Sequence, residues 1–249
     1  MGNRLDIPIP EYPLEVVFVL VKPAFSGNIG AVCRGMLNFG FNKLRVIGHE
    51  GKWDEETRKR AKHAQSVLDN AEIHENWESC MQDISLVIGT SGKRELGSKI
   101  QFRHFLTPNE LITNFQGLTG RVAIVFGPEN SGLSNQDLRL SDLIFSINTN
   151  NISNSLNLSH AVAVICHKLF ELNQLNSKRK NTNIDHFVNK GQLSKYLDFL
   201  FENLSSRNFF VPQEKTKSMK NNIYNIYLKS PLTKKELQTL WGITKKLTK

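Results

Sequence analysis

The chain has 249 residues, enough for one or two domains with a substantial core, and its 39% hydrophobic and 22% charged content and mean hydropathy of −0.33 describe a soluble globular protein. No apolar run exceeds the six residues from Val16 to Val21, far short of the roughly twenty that span a bilayer, and the start Met-Gly-Asn-Arg-Leu-Asp lacks a signal-peptide core, so a cytoplasmic protein is expected. The net charge of +9 is uneven: residues 1–170 carry 17 Lys+Arg and 17 Asp+Glu, residues 171–249 carry 15 and 6, which points the last third at a polyanion.

In chain order, the spacing predicts a strand over Val16–Val21, a helix from Asn28 to Phe39 stopped by Gly40, and strands over Lys43–Ile47 and Ile84–Gly89. Thr107-Pro108-Asn109-Glu110 reads as a capping box with proline at the first helical position. Strands follow over Val122–Phe126 and Leu143–Ile147. The helix after Asn157 then places Leu158, Ala161, Val162, Ile165, Leu169 and Leu172 on one stripe. Short apolar runs alternating with helices predict an α/β domain with a largely parallel sheet over residues 1–175. The hydrophobic pattern vanishes over 176–183, a linker signal, and 184–249 reads as a basic helical extension. Its stripes are Leu193, Tyr196, Leu197 and Leu200, then Ile223, Tyr224, Tyr227 and Leu228. A third helix, capped by Thr233 and Glu236, carries Leu237, Leu240, Trp241 and Leu247.

Cys33, Cys80 and Cys166 are odd in number, far apart and flanked by apolar residues, so buried thiols are expected rather than disulfides. The seven histidines show no metal-ligand spacing, and no metal site is expected. Open α/β sheets bind ligands at the carboxyl ends of their strands, and three polar segments fall there. They are Ser26 to Arg34, Phe126 to Leu133, and Asn148 to Ser159. Gly27, Gly30 and Gly35 do not have dinucleotide-binding spacing, and there is no Gly-Lys-Ser/Thr of a P-loop, which weakens an oxidoreductase or nucleotidase reading. Taken singly, Glu129 reads as a turn residue, Asn157 as a helix N-cap and Arg34 as an exposed helix charge.

Together and in this order the segments resemble the SpoU branch of the SPOUT RNA 2′-O-ribose methyltransferases. The first motif is matched by Asn28, Arg34, Phe39 and Gly40, the second by Phe126 to Leu133, and the third by Ser155 to Ala161. The likeness is greatest to the TrmJ-type tRNA methyltransferases, whose C-terminal extension is matched by Leu232 to Glu236 and Leu240 to Ile243. The resemblance implies a parallel sheet with helices on both faces and a deep trefoil knot, a homodimer packed through the knot region, and S-adenosylmethionine as methyl donor. It further implies backbone contacts near Thr90, Gly127, Ile147 and Leu156 around the cofactor, and Arg34 acting on the ribose hydroxyl. Asn28, Glu129, Ser155 and Asn157 would orient that arginine and the loops. The implied substrate is tRNA at nucleotide 32 of the anticodon loop; ribosomal RNA, or a knotted RNA-binding protein without catalysis, are the alternatives. Two loops depart from the family pattern: Ser91-Gly92-Lys93-Arg94 delays an arginine, and Ile147-Asn148-Thr149-Asn150 lacks a proline.

Overall fold

The computed structural model describes residues 14–92, 104–106, 118–150, 155–176, 185–228 and 232–248. The α/β part begins with β1 (Leu14–Val21), α1 (Ser26–Asn38), β2 (Leu44–Ile47), α2 (Glu55–Ala61), α3 (Gln65–Asp69), β3 (Glu72–His74), α4 (Trp77–Met81) and β4 (Leu86–Thr90). It continues through β5 (His104–Leu106), β6 (Leu118–Phe126), α5 (Asn135–Leu140), β7 (Leu143–Phe145) and α6 (Leu158–Asn176). The extension holds β8 (Asp185–His186), α7 (Lys190–Ser205), α8 (Thr216–Tyr227) and α9 (Lys234–Leu247).

The strands lie in the order β3-β2-β1-β6-β4-β7-β5, every pair parallel, with β8 paired to the start of β6. The β-branched runs of the central strands explain this placement, because a parallel sheet is covered on both faces and needs apolar residues at every position. Val16, Phe18 and Leu20 of β1 face α1 and α6 in one core. Val17, Val19 and Val21 face α4 and α5 in the other. Each such fully buried aliphatic or aromatic side chain contributes about 1.5–3 kcal/mol. All five expected strands are present, with ends shifted by a few residues. β3, β5 and β8 were not expected from the sequence.

Helix α1 packs on α2 at backbone range. A Cβ on Gly30 would lie 2.0 Å from the Thr57 carbonyl oxygen, so only glycine admits this contact. Asp54 caps α2 by accepting from the Thr57 N–H at 2.7 Å, and Ser134 and Asp137 form a capping box on α5. At the opposite, N-terminal edge of the sheet, the buried Arg45 pairs with Glu72 at 2.8 Å and Asp83 at 2.7 Å, and Arg121 bridges Asp83 to Glu15. The hydrogen bonds from Arg45, assisted by those from Arg121, outweigh burial and hold the Asp83 carboxyl far below the usual carboxylate range. The three cysteines are free and buried, and desolvation pushes the thiols of Cys33 and Cys80 up to about 12.

The extension builds its own small core from Leu193, Tyr196, Leu197, Leu228 and Leu237. Tyr196, on the first of the expected stripes, is 2% exposed with its hydroxyl 3.2 Å from those of Tyr227 and Thr244. Leu247, on the third, is instead exposed at the end of its helix. The extension is not purely helical, since β8 joins the sheet by pairing Asp185 and His186 with Leu118 and Thr119. It is anchored by Lys190, whose Nζ meets Asp142 at 2.6 Å in a buried pair, and whose N–H donates to the Ile84 carbonyl. Asp142 also accepts from the Val87 N–H at 2.7 Å, so the pair ties α7 to the base of β4 and β7. The capping box at Thr107, residues 107–117 between β5 and β6, residues 151–154 after β7, and the part of the linker beyond Asn176 lie outside the described residues. Among the described residues no helix is long and apolar enough to cross a membrane.

Candidate active site

Because β1 and β6 are sheet neighbours, the turn after β6 meets the start of α1. Glu129 sits in that turn. Its Oε1 accepts from Asn28 Nδ2 at 2.7 Å and its Oε2 from the Ala24 N–H at 2.7 Å. Burial alone raises the Glu129 carboxyl, but the donors from Asn28 and the Ala24 backbone outweigh it and hold the group below its ordinary value, so it is a carboxylate at neutral pH. Asn28, itself buried, accepts through Oδ1 from Asn157 Nδ2 at 3.2 Å. Asn157 in turn accepts from the Ser159 N–H at 2.9 Å and hydroxyl at 2.7 Å, which caps α6. The N-cap and site readings of Asn157 therefore hold together. Residues 28, 129 and 157 from three distant segments form one hydrogen-bonded chain.

The turn carrying Glu129 depends on Gly127. A Cβ there would lie 2.2 Å from the Gly132 carbonyl carbon and the Leu133 nitrogen. The expected reason for this glycine was close approach by a ligand; the chain's own backbone already requires it. Gly132 closes the turn with a left-handed φ of 67°.

Arg34 lies six residues beyond Asn28, about 240° further round the helix, and so projects away from the buried chain. Its guanidinium is exposed and has no hydrogen-bond or ion-pair partner among the described residues. It lines an open groove of about 1100 Å³ between α1, α2 and the start of α6, together with Lys59, Lys62, Ser159 and His160. Asp54 also lines it, but accepts from Ser26 Oγ at 2.6 Å and from Thr57, contacts that hold its carboxyl at about 2. Arg60 is paired with Glu56 at 2.7 Å. The groove thus offers free cations, and the hydrogen-bond relay reaches it only through Ser159, an arrangement suited to a phosphate-bearing ligand and to stabilising a developing oxyanion.

The chain belongs to the SpoU methylase family. Residues 15–167 match the SpoU rRNA Methylase family. The tRNA (cytidine-2′-O-)-methyltransferase TrmJ of Methanocaldococcus jannaschii is 33% identical over 236 residues, covering 93% of this chain and 99% of that protein. The tRNA (cytidine/uridine/adenosine-2′-O-)-methyltransferase TrmJ of Pseudomonas aeruginosa is 29% identical over 238 residues, 90% of each chain. Among solved structures, TrmJ from Z. mobilis superposes with a TM-score of 0.77 at 25% identity, over 94% of this chain and 99% of that one.

In this SpoU methylase the other expected residues are distributed as follows. Gly127, Thr90 and Ile147 lie at the C-terminal ends of the adjacent strands β6, β4 and β7. The Thr90 hydroxyl donates to the Val125 carbonyl at 2.8 Å and so is engaged within the sheet. Leu156 is exposed just before α6, and Ser155 is exposed without a hydrogen-bond partner among the described residues. At the same edge Ser146 Oγ is buried and unpartnered among the described residues, an available polar group that sequence reasoning missed. Sequence reasoning also missed the Ala24 N–H, Asp54, Lys59 and Lys62. Only the Asp-x-x-Thr spacing at Asp54 carried a signal, as a helix cap.

Proposed function

We propose that this SpoU methylase transfers a methyl group to a ribose 2′-hydroxyl of tRNA, at nucleotide 32 of the anticodon loop, as a cytoplasmic homodimer using S-adenosylmethionine. The observation that carries the reading is the free Arg34 guanidinium in a groove that the Glu129–Asn28–Asn157 relay, at the C-terminal edge of a parallel sheet, reaches through Ser159. When bound, S-adenosylmethionine supplies an already activated methyl group. The three adjacent strand ends at Gly127, Thr90 and Ile147, with the unpartnered Ser146 Oγ, suit a ligand that carries both a flat apolar base and ribose hydroxyls. Leu156 completes that lining from the α6 side.

Arg34 does not act as a base, since a guanidinium keeps its proton in a protein. It stabilises the alkoxide that develops as the 2′-hydroxyl loses its proton to solvent, with an RNA phosphate helping to relay that proton. Glu129, as a carboxylate held by two donors, fixes Asn28 and through it Asn157 and the start of α6, whose Ser159 faces the same groove as Arg34. Positioning is therefore the main contribution of the chain. Ser155 orients the ribose from the exposed segment before α6.

tRNA is favoured over ribosomal RNA because the similarity to the M. jannaschii tRNA enzyme runs through the extension, covering 99% of that protein. Exposed Leu37 and Val164, on helices that pack together, suit a partner subunit. The test is Arg34→Ala: turnover on tRNA falls by at least a hundredfold while S-adenosylmethionine binding by calorimetry stays near wild type. Equal loss of both contradicts the role given to Arg34.

A further inference from the structure

The extension docks on the sheet edge opposite the candidate active site. β8 pairs at Leu118 and Thr119, and Lys190 and Gly191 donate to the Ile84 and Gln82 carbonyls at 2.8 and 2.9 Å. Strand β6 runs from there to Phe126, roughly 25 Å at about 3.3 Å per residue, before the Glu129 turn begins. From Lys190, α7 leads away over 16 residues, about 24 Å. α9 starts at the same base, where Thr233 bridges Phe187, and ends beside α7, where Arg207 Nη2 donates to the Thr248 carbonyl at 3.0 Å. α8 starts at that far end, with Thr216 Oγ1 at 3.5 Å from the Phe210 carbonyl, and returns to Tyr196 through Tyr227. Lys234 and Lys235 therefore sit at the base. Arg207, Lys215, Lys217, Lys220, Lys245 and Lys246 gather at the far end, where the acids are Glu202 and Glu214.

Amid these cations stands an exposed ring. Phe209 is 49% exposed, and Val211 and Leu247 near it are more so. Its position is fixed: Asn208 takes a left-handed φ of 57° to end α7, and the Phe209 N–H donates to the Leu204 carbonyl at 3.0 Å. The ring meets Phe210 edge-on at 5.3 Å, Phe210 is buried against Phe201, and Lys220 Nζ lies 5.4 Å from both of those ring centres. Lys215, Lys217 and Lys246 have no ion-pair partner among the described residues. A rigid aromatic face open to solvent and ringed by free cations matches a ligand that alternates flat bases with phosphates.

Resting on the reading that the substrate is RNA, we propose that the far end of the extension is a second RNA contact, at which Phe209 stacks on an unpaired base and Arg207, Lys215, Lys217 and Lys246 hold the neighbouring phosphates. It grips nucleotides remote from the ribose at Arg34, because the extension is anchored at the opposite edge of the sheet. Three apolar side chains are too few to anchor a lipid surface, and the excess of cations disfavours any partner but a polyanion.

The test uses the full chain and fluorescently labelled unmodified tRNA transcripts, with binding read by anisotropy across a salt series and methyl transfer read on the same RNA. Phe209→Ala weakens binding about tenfold without changing the salt slope, since stacking is sequence- and salt-tolerant. Phe209→Trp restores affinity, whereas Phe209→Leu, which keeps apolar bulk, behaves like the alanine variant. Changing Lys215 and Lys217 together to alanine weakens binding and lowers the salt slope by about 1.4, as expected for two lost single-strand phosphate contacts. Wild-type affinity in Phe209→Ala or in Phe209→Leu overturns the proposal, as does binding of anionic phosphatidylserine vesicles in place of RNA. Unchanged binding with intact methyl transfer removes this contact and leaves the proposed function standing. Weakened binding in a protein that transfers no methyl group does the reverse.

Discussion

Replacing Asn28 by aspartate changes one nitrogen for one oxygen, yet it turns the donor that faces Glu129 into a second carboxylate across a 2.7 Å contact. The lost hydrogen bond to an ionised acceptor costs about 1.5–3 kcal/mol. Two like charges near 4 Å at an effective dielectric of 20 repel by about 4 kcal/mol, and the pair limits this by taking up a proton. The expected loss is about 3–5 kcal/mol at pH 7, or roughly 10 °C in Tm for a chain of this size. The sign with pH follows from the raised apparent value of the new pair. A carboxyl group raised in the folded state stabilises fully below its unfolded value and loses that contribution as pH rises, so the deficit narrows when pH drops from 7 to 4.5. Urea unfolding of wild type, Asn28→Asp and Asn28→Ala at both pH values provides the measurement. The alanine variant loses the hydrogen bond without adding charge, and its deficit stays nearly constant over that range. A deficit under about 1 kcal/mol for Asn28→Asp at pH 7, or one equal at the two pH values, refutes the relay.

Lys190→Met strips the partner from Asp142, whose side chain is 3% exposed, and is expected to cost about 3–5 kcal/mol in chemical denaturation; the double variant with Asp142→Asn recovers part of it. No loss would mean that the extension is not anchored there. Gly127→Ala forces backbone apart at 2.2 Å and moves Glu129, so stability falls by about 1–3 kcal/mol or more and methyl transfer falls with it, whereas a thermally unchanged, active variant contradicts the turn geometry. Glu129 is held below its ordinary 4.5, so it contributes stability above that value which is lost as pH falls through its folded value; Glu129→Gln flattens the acid limb of the wild-type stability profile. Asn157→Ala and Glu129→Ala lower kcat less than Arg34→Ala does, since they act through position.

Strands β1, β4 and β7 and the Val122–Phe126 part of β6 were legible as apolar runs because burial on both faces leaves such a signal, and β2 was legible despite Arg45. Strand β3, Glu-Ile-His at the sheet edge, and the still shorter β8 have no such signal: two or three residues cannot display a period, and their pairing is made by backbone. The helical stripes of the extension were readable, but whether a tyrosine on a stripe ends inside or outside was not. Tyr196 is inside because Tyr227 and Thr244 from two later helices bring it hydroxyl partners. At the site, Asn28, Glu129 and Asn157 were recognisable as motif residues over a sequence span of more than a hundred positions. Their hydrogen bonds were not, since these depend on β1 and β6 being neighbours and on the Ala24 N–H, a backbone group without a residue signature. Gly127 was singled out for an approach by a ligand, whereas the structure shows an approach by the chain's own backbone, which leaves the same residue in the sequence.

The central claim is tested most directly by incubating the purified protein with S-adenosylmethionine and unmodified tRNA or ribosomal RNA, followed by mass mapping of ribose-methylated nucleotides. The account predicts one new 2′-O-methyl group in the tRNA anticodon loop, absent when Arg34→Ala replaces the wild type. Methylation confined to ribosomal RNA, transfer to a base atom, or an equal product from Arg34→Ala contradicts it.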